Sequence, residues 1–259
     1  MSVDLHVEES GSGRPLVLLH AFPLDARMWA AQQDGLADVA HVLAPDQRGF
    51  GGSPLGDDPP SLDRAAEDVA ALLDARGLSG VVLGGNSMGG YVVMACLRHP
   101  AVREKLAGLV LVDTRAGADP PAAAANRHRI AEAVLAEGSG ILFEELPNLL
   151  GGTSRRERPD VVRRVRELAG AASPAAVAWA QRAMAARPDS LPTLRAADLP
   201  ALVVVGEEDG VAPPEEAQAI AEAMPDARLV GVPRCGHLPA LEAPEALDAA
   251  IRAFLAELR

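Results

Sequence analysis

Short apolar runs recur along this chain, and they constrain its fold more than any other feature. They cover residues 15–20, 40–44, 81–85, 109–113, 201–206 and 227–232. Each run is too short for a helix and is apolar on both faces, which is typical of parallel strands covered on both sides. Residues 3–9 alternate between apolar and polar instead, which indicates an antiparallel strand at the edge of the sheet.

Helical patterns lie between these runs. In residues 61–77 the apolar positions have helical spacing, acids come early, Arg76 comes late and Gly77 closes the pattern. Residues 88–99 form a second pattern that a proline stops, and residues 244–258 form a third with a proline near its start. The alternation predicts an α/β fold, in which right-handed crossovers join a doubly wound and mostly parallel sheet.

The segment from residue 116 to residue 197 breaks this rhythm. It has no strand pattern, and its helical stretches lie near 122–137, 155–169 and 174–186. A helical block between two strands predicts a lid over the end of the sheet. We therefore expect a core formed by residues 1–115 and 198–259, with residues 116–197 as a helical lid, or cap, inserted between strands.

Composition and charge exclude several classes of function. With 259 residues and 49% apolar side chains, the chain can bury one sizeable α/β core. Its net charge of −12 argues against a nucleic-acid partner, because phosphate binding needs clustered Lys and Arg. The first residues lack a secretory pattern, and no apolar stretch is long enough for a membrane span. The two cysteines, Cys96 and Cys235, do not make a disulfide framework, so the expected location is the reducing cytoplasm.

The sharpest motif is Gly85-Asn86-Ser87-Met88-Gly89, between a predicted strand and a predicted helix. A tight strand-to-helix turn strains the serine backbone and exposes its hydroxyl above the sheet, which requires small residues two positions before and after. The helix N-terminus favours developing negative charge. The motif predicts Ser87 as a nucleophile, whereas the alternative interpretation is a serine that merely caps the helix.

A nucleophilic serine needs a general base within hydrogen-bond reach. In chains with this type of turn, the acid follows the serine in sequence and the histidine follows the acid. Of the six histidines, His237 lies in a Gly-flanked loop after the last predicted strand, so it is the predicted base. The orienting acid should follow the preceding strand. Asp209 is favoured there because Gly210 and a turn come next, and Asp113 is the alternative acid at the end of its own strand.

The tetrahedral intermediate of such a reaction needs an oxyanion hole. One donor should be the backbone N–H of Met88, directly after the nucleophile. The second should come from the loop His20-Ala21-Phe22-Pro23, where the Phe22 N–H is the candidate because proline has none. We expect His20 to brace this loop rather than to contact substrate.

Together these motifs resemble the α/β-hydrolase superfamily over nearly the whole chain. The segment APDQRGFGGS at 44–53 resembles the family's D-x-R-G-x-G-x-S turn, in which we interpret Arg48 as structural. The resemblance implies an α/β-hydrolase sheet whose helical cap lines the substrate pocket. Size and cap length are similar to small esterases and 3-oxoadipate enol-lactonases, which implies hydrolysis of a small-molecule carboxylic ester or lactone through an acyl-enzyme, with no metal or organic cofactor.

Other branches of the superfamily remain alternatives. C–C bond hydrolases share the elbow sequence, but they have a glycine-rich oxyanion loop and usually a Trp after the catalytic His, where this chain has Leu238. Haloalkane dehalogenases and epoxide hydrolases carry Asp as nucleophile, and Ser87 excludes their chemistry. Perhydrolases and acyltransferases use the same triad. Some members of the fold are small-molecule-binding proteins without enzymatic activity.

The pocket is predicted to be aliphatic because aromatic residues make up only 3% of the chain. The candidates for its walls, all apolar, are Trp29, Phe143, Leu146, Trp179 and Leu238, with Phe22, Leu149, Leu150 and Met184 as further candidates. In the lid, Arg127 and Arg182 are candidates for pairing with a carboxylate substrate, and the alternative is that they are ordinary surface arginines. No feature of the sequence indicates the oligomeric state.

Overall fold

Seven strands form one sheet in the computed structural model, which describes residues 2–258. They are β1 (Val7–Gly11), β2 (Arg14–Leu19), β3 (Ala40–Pro45), β4 (Val81–Asn86), β5 (Leu106–Val112), β6 (Ala201–Gly206) and β7 (Ala227–Val232). The six predicted apolar runs all lie on strands. The expected edge strand was placed too early, because β1 begins at Val7 rather than at residue 3.

Helices connect the strands and cover both sides of the sheet. They are α1 (Ala30–Gly35), α2 (Leu62–Ala75), α3 (Met88–Arg98), α4 (Pro100–Arg103), α5 (Pro121–Glu137), α6 (Gly152–Glu157), α7 (Pro159–Ala169), α8 (Pro174–Ala185), α9 (Leu191–Arg195), α10 (Pro214–Ala223), α11 (Pro239–Glu242) and α12 (Pro244–Glu257). Short 3-10 turns cover Ala26–Trp29, Ser139–Glu144 and Leu146–Leu149. Among the described residues, no helix combines the length and the apolar character that a membrane crossing requires.

The strand order explains where a site can form. The order is β1-β3-β2-β4-β5-β6-β7, with β1 antiparallel to β3 and every other neighbouring pair parallel. The chain first moves outward from β2 to β3 and then returns to place β4 on the other side of β2. This reversal of direction opens a crevice at the carboxyl ends of β2 and β4, where open α/β sheets bind ligands. The predicted doubly wound α/β-hydrolase sheet is confirmed.

The sheet separates two apolar cores, because successive strand residues point to opposite faces. On β2, Val17 and Leu19 face α2, α3 and α10 together with the inserted helices α5 and α8. Leu16 and Leu18 face the other layer, which contains Trp29, α7 and α12. All these strand side chains are fully buried, so a one-residue slip in register would exchange the two cores.

Helices fill the segment between β5 and β6, as the sequence predicts. Within residues 116–197, all of which the structure describes, no strand forms, and α5 packs against α8. Between α5 and α6 the chain forms the 3-10 turns Ser139–Glu144 and Leu146–Leu149. That this segment acts as a lid remains a prediction.

The turn after β3 is held by buried ion pairs. Asp46 accepts hydrogen bonds from the Ala26 and Gly52 N–H groups at 2.7 and 2.8 Å. The buried Arg48 guanidinium binds both carboxylate oxygens of Asp68 on α2, each at 2.8 Å, and lies 5.7 Å from the ring centre of Trp179 on α8. These contacts support the structural interpretation of Arg48.

Candidate active site

Ser87 occupies the sharp turn between β4 and α3. Its φ of 53° and ψ of −113° lie outside the regions that ordinary residues populate, which is the strain expected of a nucleophile elbow. A Cβ on Gly85 would come within 2.3 Å of Gly89, and one on Gly89 within 2.2 Å of the Leu19 carbonyl, so both positions require glycine. The Ser87 side chain makes no capping hydrogen bond to α3, which argues against the alternative of a helix cap.

Two neighbours from β5 hold this strained turn. The Ser87 N–H donates to the Val112 carbonyl at 3.0 Å, which continues the β4–β5 pairing by one residue. The Thr114 hydroxyl donates to the Ser87 carbonyl at 2.8 Å. A Cβ on Gly90 would come within 2.4 Å of that hydroxyl, which explains the second glycine of the motif.

The predicted acid and base form a buried pair. His237 Nδ1 lies 2.7 Å from Asp209 Oδ2, and both side chains are almost completely buried. The other carboxylate oxygen of Asp209 accepts the N–H groups of Val211 and Ala212 at 2.7 and 3.0 Å. With Nδ1 held by Asp209, His237 has Nε2 left for proton transfer.

The environment keeps Asp209 ionised. Burial by itself would raise the pKa of its carboxyl. The hydrogen bond and charge of His237, with the hydrogen bond from the Ala212 N–H, outweigh burial and hold the pKa of Asp209 below its ordinary value. An ionised acid at this position can stabilise a protonated imidazole.

Asn86 joins the nucleophile turn to the histidine loop. Its side-chain N–H₂ donates to the Val112 carbonyl and to the His237 carbonyl, both at 3.1 Å. Sequence reasoning missed this residue, because it is the variable position of the motif. The available indication was a polar side chain on a strand that is otherwise apolar.

Glu242 organises the other side of the histidine loop. Its buried carboxylate accepts hydrogen bonds from the N–H groups of Gly236 and Leu238, each at 3.1 Å, and from that of Gly151 at 2.8 Å. The residues on both sides of His237 therefore share one anchor with the inserted segment. Sequence reasoning missed Glu242 as well, since no local pattern distinguishes it from a surface acid.

The two backbone N–H groups expected to form the oxyanion hole have no acceptor within the described part of the protein. Among residues 2–258, the backbone N–H groups of Phe22 and Met88 donate to no protein acceptor. The Phe22 loop follows β2 and the elbow follows β4, and Leu19 and Gly85 are paired at the ends of these neighbouring strands. The topology thus places both candidate donors at the crevice.

His20 braces this loop, as the sequence analysis expects. Its Nε2 accepts the Gln47 N–H at 2.9 Å, so the ring proton sits on Nδ1, which lies 3.0 Å from the Ala21 carbonyl. The Gln47 side chain donates back to the His20 carbonyl at 2.6 Å. Burial lowers the pKa of His20, which keeps the ring neutral.

A cavity of about 140 Å³ lies between the oxyanion loop and the inserted segment. Its walls are mainly apolar and consist of Phe22, Pro23, Ile130, Leu142, Glu145, Leu146, Leu149 and Gln181. The Leu149 carbonyl accepts the His237 N–H at 3.1 Å, so the wall of the cavity touches the histidine loop directly.

The structure brings one of the five principal pocket candidates, Leu146, to this cavity wall. Trp29 and Leu238 are completely buried in the apolar core that also contains Leu146, and neither is on the cavity wall. Trp179 donates its ring N–H to the Asp58 carbonyl at 2.9 Å, beside Arg48. Phe143 is 37% exposed. Of the further candidates, Phe22 and Leu149 do line the cavity.

Sequence comparison assigns the chain to a protein family. Residues 16–250 match the family described as "Alpha/beta hydrolase family". The chain belongs to this family.

Individual relatives of this α/β hydrolase have different activities. A solved thermophilic esterase from Thermogutta terrifontis is 44% identical, with a TM-score of 0.95 over 98% of this chain and 94% of that one. The enol-lactonase from Burkholderia xenovorans LB400 is 26% identical, with a TM-score of 0.89 over 98% and 97% of the two chains.

Some curated relatives are matched over only part of their own length. Epoxide hydrolase A from Mycobacterium tuberculosis is 33% identical over 72% of this chain, which spans 58% of that protein. Two further curated relatives are matched over 32% and 37% of their own length. The relatives include an esterase, an enol-lactonase and an epoxide hydrolase, which supports an enzyme of the α/β-hydrolase superfamily.

The two arginines considered for pairing with a carboxylate substrate already have acidic partners in this hydrolase. Arg127 binds Asp119 and donates to the Gln181 side-chain oxygen at 3.1 Å. Arg182 lies 2.7 Å from Glu132 on α5. Neither is on the cavity wall, so the geometry favours the alternative that they are structural or surface arginines.

Glu208 fixes the inserted segment to the hydrolase core. Its carboxylate accepts the N–H of Thr153 at 2.7 Å and the Thr153 hydroxyl at 2.6 Å. These two hydrogen bonds lower the pKa of Glu208. With the Glu242 and Leu149 contacts, they tie residues 149–153 to the loops that carry Asp209 and His237.

Proposed function

We propose that this hydrolase cleaves a carboxylic ester or lactone through an acyl-enzyme on Ser87. The observation that carries the proposal is the strained serine turn, tied through the Asn86 side chain to the loop of the buried His237–Asp209 pair. A serine with a high-energy backbone, a histidine whose Nδ1 is engaged and an ionised acid behind it are the components of nucleophilic acyl transfer.

The reaction proceeds in two steps. The Ser87 hydroxyl attacks the carbonyl carbon while His237 Nε2 takes its proton, and the C–O bond to the leaving alkoxide breaks as the imidazolium returns the proton to it. Water, deprotonated by His237, then attacks the acyl carbon, and the bond to Ser87 Oγ breaks as the imidazolium returns the proton to that oxygen, which releases the carboxylic acid. A lactone follows the same steps, except that the leaving alcohol stays attached to the acyl chain.

Charge that develops on the carbonyl oxygen is met by two backbone donors. The N–H groups of Phe22 and Met88 are the proposed oxyanion hole, because both lie at the β2–β4 crevice and donate to no acceptor among the described residues. Losing one oxyanion donor typically costs about 10²- to 10³-fold in rate. The positive end of α3 adds to this stabilisation.

The cavity favours a short, apolar and uncharged acyl group. Its volume of about 140 Å³ is small, and its described wall residues include the carboxylate of Glu145 but no Lys or Arg. The nearby Arg127 is neutralised by Asp119. A carboxylate on the substrate would therefore meet a like charge without a compensating cation.

The activities of the relatives support ester or lactone hydrolysis to different extents. The similar structures of an esterase and an enol-lactonase support ester and lactone chemistry. The serine at position 87 argues against epoxide hydrolysis, despite the match to Epoxide hydrolase A, because that chemistry uses an aspartate nucleophile.

Labelling with a fluorophosphonate probe tests the proposal without a guess about the substrate. We expect intact-mass measurement to show one label on the wild type, none on Ser87→Ala and much slower labelling of His237→Ala. Ser139→Ala, which removes a hydroxyl from the inserted segment, is the matched control and should label like the wild type. Without the probe, a panel of short esters and lactones should be hydrolysed by the two proteins that label rapidly, the wild type and Ser139→Ala. A folded wild type that takes no label and hydrolyses nothing would overturn the proposal.

A further inference from the structure

Asp113 is a buried acid that the proposed mechanism does not use. It follows β5 directly, with a φ of 41°, and is only 1% exposed. Its N–H donates to the Val204 carbonyl at 2.9 Å, and its Oδ1 accepts the Gly206 N–H at 2.8 Å. These bonds fix its carboxyl at the ends of β5 and β6. Asp209 follows Gly206, the last residue of β6, by three positions.

The second carboxyl oxygen of Asp113 has no conventional donor. Oδ2 is buried, and among the described residues no N–H or hydroxyl group reaches it. Polar atoms of Asp113, Asp209 and His237 all lie within 4.8 Å of one another. Two buried carboxylates this close repel each other, which favours protonation of one of them. A proton between the two acids would also satisfy the orphaned oxygen.

The contacts of each acid decide which one holds the proton. Asp209 accepts two backbone N–H groups and faces the imidazole of His237, and all three contacts favour its charged form. Asp113 accepts a single backbone N–H. The proton therefore belongs to Asp113.

We propose that Asp113 is a positioning residue, a neutral carboxylic acid that donates a hydrogen bond to Asp209. This hydrogen bond orients the Asp209 carboxylate that faces His237 and spreads its negative charge. The effect of Asp113 on His237 rests on the proposed function, whereas its protonation does not. A neutral donor spreads the negative charge of Asp209 and limits how strongly that charge holds a proton on the imidazole.

The surrounding charges support a neutral Asp113. Burial, the negative charge of Asp209 and the hydrogen bond to it, together with the more distant charge of Glu242, raise the pKa of Asp113 well above its ordinary value. The Gly206 N–H acts in the opposite direction and is outweighed. The other titratable groups that face Asp113 are His237, which is bound to Asp209, and the buried thiol of Cys235, whose pKa is also raised by burial.

Two substitutions distinguish a neutral Asp113 from an ionised one by the direction of a pH shift. The readout is the pH dependence of fluorophosphonate labelling of Ser87, whose acid limb reports loss of the free base. Asp113→Asn keeps a neutral donor, so the acid limb should stay at the wild-type pH. Asp113→Leu removes the donor and concentrates charge on Asp209, so the acid limb should move to higher pH by up to about one unit.

An ionised Asp113 would give the opposite result. Both substitutions would then remove a negative charge near His237, and the acid limb would move to lower pH by about one unit in each. That shift in Asp113→Asn would overturn the proposal. If Asp113→Leu does not fold, Asp113→Asn alone still decides between the two outcomes, since asparagine tolerates the positive φ at this position.

Infrared spectroscopy tests the protonation independently of any activity. We expect the wild type at neutral pH to show the carbonyl stretch of one buried protonated carboxylic acid, and Asp113→Asn to lack it. The same band should persist in Ser87→Ala. A wild-type spectrum without it would overturn the proposal, whether or not the protein reacts with the phosphonate. A band without labelling would instead contradict the proposed function and leave the protonation of Asp113 intact.

Discussion

The side-chain amide of Asn86 donates a hydrogen bond to the backbone carbonyl of His237 at 3.1 Å. The residue before the proposed nucleophile therefore holds the loop of the proposed base, across 151 positions of sequence. The same amide also binds the Val112 carbonyl, so β4, β5 and the histidine loop meet at one side chain. Preorganisation of this kind is what keeps reacting groups within the short distances that catalysis needs.

Asn86→Asp should impair both stability and activity. The substitution is isosteric, but it places carboxylate oxygens against two carbonyl oxygens, so two buried hydrogen bonds become repulsive contacts. We expect the free energy of unfolding to fall by about 2 kcal/mol or more, and the kcat on a short ester to fall at least 10-fold. Urea denaturation and steady-state kinetics measure the two effects. Asn126→Asp, on the exposed face of α5, is the matched control and should change neither.

Glu242→Ala should loosen the histidine loop. It leaves three N–H groups, those of Gly151, Gly236 and Leu238, without their acceptor. Hydrogen bonds to a charged group contribute about 1.5–3 kcal/mol each when buried, so we expect a loss of about 3 kcal/mol or more in unfolding free energy, together with reduced kcat. Glu245→Ala, at an exposed position early in α12, removes the same group without those bonds. Equal stability of the two variants would contradict the anchoring role of Glu242.

The stability difference between Asp113→Asn and the wild type should increase with pH. In the unfolded chain Asp113 ionises near its ordinary pKa of 3.8, whereas in the folded state its raised pKa keeps it neutral. The folded state therefore binds one more proton than the unfolded state above that pKa, and wild-type stability falls with rising pH by about 1.4 kcal/mol per unit from this group, until the folded pKa is reached.

Asparagine has no proton to lose, so subtracting the two urea-denaturation series isolates the contribution of Asp113. The difference should be smallest near pH 3.5 and should grow in favour of Asp113→Asn towards neutral pH. A difference that stays constant across this range would mean that Asp113 ionises equally in the folded and unfolded states.

Glu145 should exclude anionic acyl groups. It is the carboxylate on the cavity wall, and it lies near the solvent, where a like charge is worth about 1 kcal/mol. Glu145→Gln should therefore raise kcat/KM for mono-p-nitrophenyl succinate about 5-fold and leave that for p-nitrophenyl butyrate, which has the same chain length, unchanged. Glu144→Gln is the control, since the neighbouring Glu144 is not on the wall. Equal gains for both esters would point to a steric rather than an electrostatic effect.

The candidate triad was predictable because its signals are local. Ser87 lies in a glycine pattern that only a strand-to-helix turn requires, and His237 and Asp209 each follow a strand run. Carboxyl ends of parallel strands meet at one edge, so three local signals imply a common location. The distance of 2.7 Å between His237 and Asp209 agrees with that expectation.

The pocket was poorly predictable for a related physical reason. Trp29, Leu238 and Leu146 are all apolar, and burial satisfies each of them equally well in a core or in a cavity. All three are buried in the same apolar core, but only Leu146 also lines the cavity, because sheet register and the packing of the inserted helices decide which surfaces meet.

By itself, the sequence determined the parallel sheet, the position of its inserted helices and the turn that strains Ser87, because periodicity and glycine placement act over a few residues. Only the tertiary structure decided that Asn86 and Glu242 hold the His237 loop and that Asp113 lies against Asp209. Those contacts join positions that are far apart in the chain, and a carboxyl or amide group has the same local preferences whether it faces solvent or a buried carbonyl. Its chemistry is set by the partners that folding brings to it.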